Sequence, residues 1–181
     1  MKKLLSALLA LTMTVSLLTA CGGKKPEETT APAASVEGTM EELLNKVTKE
    51  QPVEFMGGVT NLDLTDTSEE GIWALKNCTG LDDASQITEA AVFEPMIGSI
   101  AFSMVMVRVA PGEDAEAVAE SMKAGVDPRK WICVEADDLK VAGRADVVML
   151  VMVNSANDMT AQSFVDAFQK TVGGTLDFVL E

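Results

Sequence analysis

Residues 98–125, GSIAFSMVMVRVAPGEDAEAVAESMKAG, and residues 143–172, GRADVVMLVMVNSANDMTAQSFVDAFQKTV, carry one pattern twice, and its reading decides the fold. Each begins at a glycine, runs through an almost unbroken apolar stretch, meets a cluster of turn formers and ends in an amphipathic segment. Residues 100–109 and 146–153 read as strands, and within them 100–107 and 147–153 are apolar at nearly every position, which predicts cover on both faces. After the first strand, Pro111-Gly112-Glu113-Asp114 opens a helix with Ala115, Val118, Ala119 and Met122 at i, i+3, i+4 and i+7. After the second, Asn157-Asp158 opens a helix carrying Phe164, Val165, Phe168 and Val172. Gly98 and Gly143 lie 45 positions apart, and Val118 and Phe164 lie 46 apart.

A further strand precedes each pair: residues 87–93 in the first copy, and residues 131–134, continued by 139–141, in the second. The unit is therefore strand, turn, strand, helix, with a glycine at each tight turn, where a positive φ is often required. Two copies predict an α+β fold: an antiparallel sheet of about four strands built from two strand-strand-helix units, with both long helices on one face. One helical layer leaves the other face of two apolar strands in water, so that face needs the N-terminal helices or a partner molecule. Two extra N-terminal helices are legible. Thr39-Met40-Glu41-Glu42 supplies a cap and early acids, Leu43, Leu44 and Val47 share a side, and the helix ends before Pro52. Thr67-Ser68-Glu69-Glu70 has capping-box spacing ahead of Ile72, Trp73 and Leu75, a short helix to about Lys76. Residues 59–64 read as a short strand or extended segment, and residues 173–180 as a final extended segment after a glycine C-cap.

Upstream, Met1-Lys2-Lys3 and an apolar run to Thr19 form the charged start and hydrophobic stretch of an export signal. The run is shorter than the ~20 apolar residues that a spanning helix needs. Leu18-Thr19-Ala20-Cys21 resembles the bacterial lipobox, and that resemblance implies diacylglycerol on the Cys21 thiol, cleavage before Cys21 and a mature chain starting there. Each buried CH₂ contributes ~0.8 kcal/mol, so two or more acyl chains anchor durably where one does not. Residues 22–38, GGKKPEETTAPAASVEG, are too poor in large apolar side chains to form a core and read as a disordered tether. Its root-mean-square reach of roughly 20–25 Å keeps the domain beside the membrane. The expected organisation is a signal peptide at 1–20, a tether at 21–38 and a single α+β domain at 39–181.

The chain holds 14 basic and 28 acidic residues, no His and no Tyr. Loss of Lys2 and Lys3 with the leader leaves 12 basic residues and a net charge of −16. That charge opposes nucleic acid and anionic lipid surfaces, so membrane contact is expected through the Cys21-linked acyl chains alone. The absence of His excludes His-based triads, HExxH zinc sites and imidazole bases.

The lipobox, the acidic tether, the N-terminal helix and the sequence from Thr88-Glu89-Ala90-Ala91-Val92-Phe93 through the Gly143 hairpin to the Phe164-Val165-Phe168 helix resemble small lipoproteins of Gram-positive bacteria. These bear a C-terminal domain of unknown function. The resemblance spans about residues 40–174 and implies an α+β domain on the outer face of the cytoplasmic membrane. It implies no activity, and Cys78, Cys133 and the abundance of methionine fall outside its pattern.

Cys78 and Cys133 form a candidate disulfide in an exported chain, set against two free thiols as the alternative. Thioethers select soft ions such as Cu(I), which makes Met104, Met106, Met149 and Met152 a candidate ligand set. Met104 and Met106 share a strand face while Met149 and Met152 fall on opposite faces, and that geometry favours core packing over metal. Asp63, Asp66, Glu69, Glu70, Asp82, Asp83, Asp137 and Asp138 read as solvated turns and helix starts. A calcium loop lacks its glycine and terminal glutamate, and a glycosidase pair needs two carboxylates ~5–9.5 Å apart across a cleft. Asp127-Pro128-Arg129-Lys130-Trp131 is a basic and aromatic turn in an acidic chain, and Arg129, Lys130 and Trp131 form a candidate interaction loop.

The expected function is a non-enzymatic binding or interaction module, lipid-anchored outside the membrane, with an unknown envelope protein or ligand as partner and no cofactor. The alternative is a cell-envelope hydrolase using carboxylates, which calls for a pocket of convergent acids with raised pKa values. Replacing Cys21 by Ala is predicted to leave an unlipidated chain, released or stalled during export; fractionation of membranes from medium checks it, and unaltered membrane retention contradicts the anchor.

Overall fold

The computed structural model describes residues 35–181. The leader, Cys21 and residues 22–34 of the expected tether lie outside the described residues. Helix α1 (Met40–Glu50) starts at Thr39, whose hydroxyl accepts from the Glu42 N–H while the Glu42 carboxylate accepts from the Thr39 N–H. This reciprocal cap satisfies two N–H groups that a helix start leaves unpaired. After β1 (Gly57–Asn61) comes α2 (Glu69–Thr79), capped by the Ser68 hydroxyl and closed by Gly80 at φ +79°. The two predicted units follow: β2 (Ile87–Pro95), β3 (Phe102–Val109) and α3 (Ala115–Gly125), then β4 (Asp138–Arg144), β5 (Val147–Val153) and α4 (Ala161–Val172). A short β6 (Phe178–Leu180) ends the chain.

The strands form one antiparallel sheet in the order β1-β2-β3-β5-β4-β6. Its six strands exceed the expected four because residues 57–61 and 178–180 add themselves to the two edges. Residues 131–134 form no strand, and β4 is supplied by Asp138–Arg144 instead. Neither glycine of the repeat takes the positive φ of a tight hairpin turn. Gly98 lies in the longer connection 96–101, and the left-handed residue between β4 and β5 is Ala145, at φ 52°. Gly143 sits within β4, where a Cβ would collide with the Phe178 ring.

The two long helices lie on opposite faces, a correction to the expected single layer. On one face Phe164, Val165 and Phe168 of α4 join Leu43, Leu44 and Val47 of α1 over Met104, Met106, Met149 and Val151. On the other, Val118, Ala119 and Met122 of α3 join Leu75 and Cys78 of α2 over Val105, Val107, Val148 and Leu150. The reason is topological. Helix α3 carries the chain from β3 past β5 to β4, and α4 carries it from β5 past β4 to β6. Both steps run the same way along the sheet, but β3 and β5 are antiparallel. Crossovers between parallel strands are right-handed. Two right-handed crossovers stepping in one direction from oppositely directed strands must fall on opposite faces. Both faces of β3 and β5 are thereby covered without a partner, as their unbroken apolar runs require.

Residues 35–38, placed by sequence in the tether, are bonded to the domain. Asp146 accepts from the Ser35 hydroxyl at 2.7 Å and the Val36 N–H at 2.8 Å. Arg108 of β3 donates to Asp146 at 2.6 Å, to the Val36 carbonyl at 3.1 Å and to the Gly38 carbonyl at 2.6 Å. Glu89 accepts from Arg108 and from the Met40 N–H. Partial burial opposes ionisation of Asp146, but the Val36 N–H, the Ser35 hydroxyl and Arg108 outweigh it and hold the carboxyl below its ordinary 3.8. A carboxylate with a depressed folded value stabilises fully above its unfolded value and loses that contribution as pH falls through the lower one. The arm is therefore predicted to stay docked at neutral pH and to loosen only below about pH 4. Asp146→Ala should free it at neutral pH at a cost of about 1–3 kcal/mol. Hydrogen exchange at the Val36 N–H reads both effects, and protection unchanged in the variant contradicts the assignment.

Candidate functional site

The register brings the starts of β1, β3 and β4 and the ends of β2 and β5 to one end of the sheet: Gly57 faces Pro95, Phe102 faces Val153, and Val153 faces Asp138. The connections 51–56, 96–101, 127–137 and 154–160 gather there. Beneath them is an aromatic cluster in which Phe55 packs on Phe93 and Phe102, and Phe102 meets Phe164 edge-on at 5.0 Å.

The candidate loop sits at this end, but its three residues do different things. Arg129 is exposed and pairs with Glu135 at 2.9 Å. Lys130 is turned inward, its side chain 4% exposed, and donates to Glu94 at 2.6 Å, to the Ser103 hydroxyl at 3.0 Å and to the Asn77 carbonyl at 3.3 Å. Ser103, fully buried, also donates to Glu94 at 2.9 Å. Trp131 is half-buried against the core, its ring centroid 5.4 Å from the Lys130 ammonium, a cation–π contact. Lys130 is thus withdrawn from any contact surface, a correction to the loop read from sequence. A buried ammonium needs a counter-ion and hydrogen-bond acceptors, and this site supplies them from three elements.

The candidate disulfide is not formed: Cys78 is a buried free thiol on α2, and Cys133 a free thiol exposed in the 127–137 connection. Burial pushes the Cys78 thiol up, with Lys130 opposing and Glu94 adding to the rise, so it stays protonated and poorly nucleophilic. Met104, Met106 and Met149 pack on one face and Met152 on the other, all fully buried.

The carboxylates do not converge. Hydroxyls of Thr65, Ser68, Ser85 and Ser155, with neighbouring N–H groups, hold Asp63, Asp66, Asp83 and Asp137 below the usual range. Glu181 is lowered by Lys140. Every carboxyl displaced from its ordinary value among the described residues is displaced downward, the wrong direction for a general acid at neutral pH. Open depressions lie on the surface. One of about 610 Å³ runs between α2 and α3 and is lined by Lys76, Asp82, Asp83, Gln86 and Ser121. Another of about 490 Å³ lies at the aromatic end, lined by Glu54, Phe55, Ile100, Asn157 and Met159. Among the described residues no group of three or more acids and cysteines is placed to hold a metal, and no helix is long and apolar enough to cross a membrane.

Sequence reading missed what this end exposes. Met56 is 77% exposed, Met96 73%, Ile97 58% and Ile132 98%. The backbone N–H of Met96 donates to the Met56 carbonyl at 2.9 Å, which places those two side by side. The available signal was an apolar pair, Met96-Ile97, inside a segment that had to be a turn. No protein-family model, curated protein or solved structure matches the chain.

Removing Glu94 leaves the buried Lys130 ammonium without its counter-ion, whereas Glu94 itself is about a third exposed. Glu94→Leu is predicted to cost about 3 kcal/mol, and Lys130→Met combined with Glu94→Leu less, since no charge is then stranded. Urea unfolding of the parent and the two variants tests this; a double variant as unstable as Glu94→Leu contradicts it.

Proposed function

We propose that the protein is a lipid-anchored, non-enzymatic interaction module on the outer face of the cytoplasmic membrane, which binds an envelope protein through the end of its sheet. The observation that carries this reading is that four of the seven large apolar side chains exposed among the described residues, Met56, Met96, Ile97 and Ile132, sit on loops at one end of a sheet whose two faces are already covered, while Ile72 and Trp73 lie on α2 and Val179 on β6. Exposed apolar groups concentrated on one part of a monomer mark contact sites, whereas scattered ones carry no meaning. The position of the chain entry supports it further. Residues 35–38 are held by Arg108 and Asp146 at the opposite end of β3, about 20 Å away along the strand. A chain tethered through Cys21 would then carry its apolar end away from the point of entry. The filled core, the buried Ser103 and the low carboxyl values favour binding over hydrolysis.

The resemblance to small Gram-positive lipoproteins supports the location, and the lipobox at Cys21 supports the anchor. The triple variant Met56→Gln, Ile97→Gln, Ile132→Gln is expected to melt as the parent does, because exposed substitutions shift stability by only about 0.5 kcal/mol. Its chemical cross-links to envelope proteins should fall about tenfold, a loss equivalent to about 1.4 kcal/mol. An unchanged cross-linking pattern on intact membranes overturns the reading.

A further inference from the structure

Strand β1 is an edge of the sheet, and its unpaired side can be deduced from the register. Met96 donates to the Met56 carbonyl and Leu62 to the Ala90 carbonyl, and hydrogen-bonded pairs alternate along an antiparallel ladder. Met56, Gly58, Thr60 and Leu62 therefore turn their backbone groups toward β2. Gly57, Val59 and Asn61 turn theirs outward, and among the described residues no hydrogen bond takes them up. One face of the strand is open as well. Nothing stands within 4 Å of the place a Cβ would occupy on Gly58, and Thr60 is exposed.

Edge strands are normally protected by charge, proline, bulges or brevity. β6 is protected by brevity: it has three residues, flanked by Asp177 and Glu181. β1, GGVTN, has five residues with no charge, no proline and no bulge in its pairing with β2. It begins next to the exposed Met56, Met96 and Ile97. Between Lys49 and Lys76 the chain that carries β1 has charge of one sign. Residues 50–75 contain Glu50, Glu54, Asp63, Asp66, Glu69 and Glu70 and neither Lys nor Arg.

We infer that β1 receives an extended, lysine-bearing polypeptide segment of the partner as a seventh strand. Main-chain hydrogen bonds to Gly57, Val59 and Asn61 would supply the pairing, the acids at both ends of β1 the charge complementarity, and Met56 an apolar contact. This is strand addition, in which the backbone contributes binding and side-chain charge sets partner choice. The inference rests on the interaction reading above and names the mode and the partner's chemistry. A second copy of this acidic chain is a poor occupant, since it brings the same sign of charge to the same edge.

The test uses the full chain in detergent and a fluorescent acetylated peptide, Lys-Val-Lys-Val-Lys-Val-Lys amide, beside its Glu-Val counterpart. The lysine peptide should bind, weaken as salt is raised from about 0.05 to about 0.5 M, and slow amide exchange at Gly57, Val59 and Asn61. The glutamate peptide should not bind. Asn61→Pro removes one outward N–H while leaving the β1–β2 hydrogen bonds intact, and should weaken the lysine peptide at least about tenfold. If that variant melts early, the exchange protection on the parent chain decides alone. The idea is overturned by absent binding, by equal binding to a normally folded Asn61→Pro chain, by equal binding of both peptides, or by a parent dimer that already protects those amides. If the peptide fails while the Met56, Ile97 and Ile132 variant still loses its cross-links, the interaction reading stands and strand addition alone falls.

Discussion

The pairing of β3 with β5 is the constraint to which the other elements answer. Their partners run from Phe102 opposite Val153 to Arg108 opposite Val147, and all seven residues of β5 are buried. Two neighbouring strands that are apolar on both sides cannot face water on either. Each face therefore needs its own helical cover, and the chain supplies two pairs: α1 with α4, and α2 with α3. Close fitting of those layers is visible at Gly80 and Gly125, where the backbones of the α2 terminus and the α3 terminus approach so nearly that neither position has room for a Cβ. Methionine suits such a sheet because its flexible thioether fills the irregular gaps between two curved helical layers and a twisted sheet.

Two cations do most of the polar organisation in an otherwise acidic molecule. Arg108 lies near one end of β3 and ties down the entering arm, through Asp146, Glu89 and two backbone carbonyls. Lys130 reaches in at the other end and ties the 127–137 connection to Glu94, Ser103 and Asn77. Each brings together segments far apart in sequence, and each is shielded enough from water for its bonds to matter more than those of an exposed pair such as Lys76 with Asp82. The entering arm is thus fixed at one end of β3, while Met56, Met96, Ile97 and Ile132 are exposed on loops at the other.

The candidate site is only half legible in the sequence, for a physical reason. Asp127-Pro128-Arg129-Lys130-Trp131 reads as a turn and lies in a connection, and Arg129 is as exposed as a surface cation should be. Lys130 looks equivalent to it in sequence, and no local pattern announces that Glu94 and Ser103, on strands formed far earlier in the chain, are waiting for its ammonium. Met96 and Ile97 are marked only as an apolar pair in a turn, which does not say whether a neighbouring loop covers them. Whether an apolar side chain is covered depends on which loop lies beside it, and loops do not follow a hydrophobic period.

What the sequence determined by itself is local or follows from composition: the capped helix start at Thr39, a second start within residues 67–70 that proves to be capped by Ser68 without the expected box, the strand-strand-helix repeat, the burial of β3 and β5 on both faces, and the absence of imidazole chemistry. Caps and periodicity are set by residues within a few positions of one another, so they are readable without a fold. Tertiary structure alone decided that β3 pairs with β5, that α3 and α4 part to opposite faces, that β1 and β6 take the edges, and that Lys130 goes inward. Those outcomes depend on strand order and on the right hand of each crossover, and both are properties of the assembled sheet that no single segment carries.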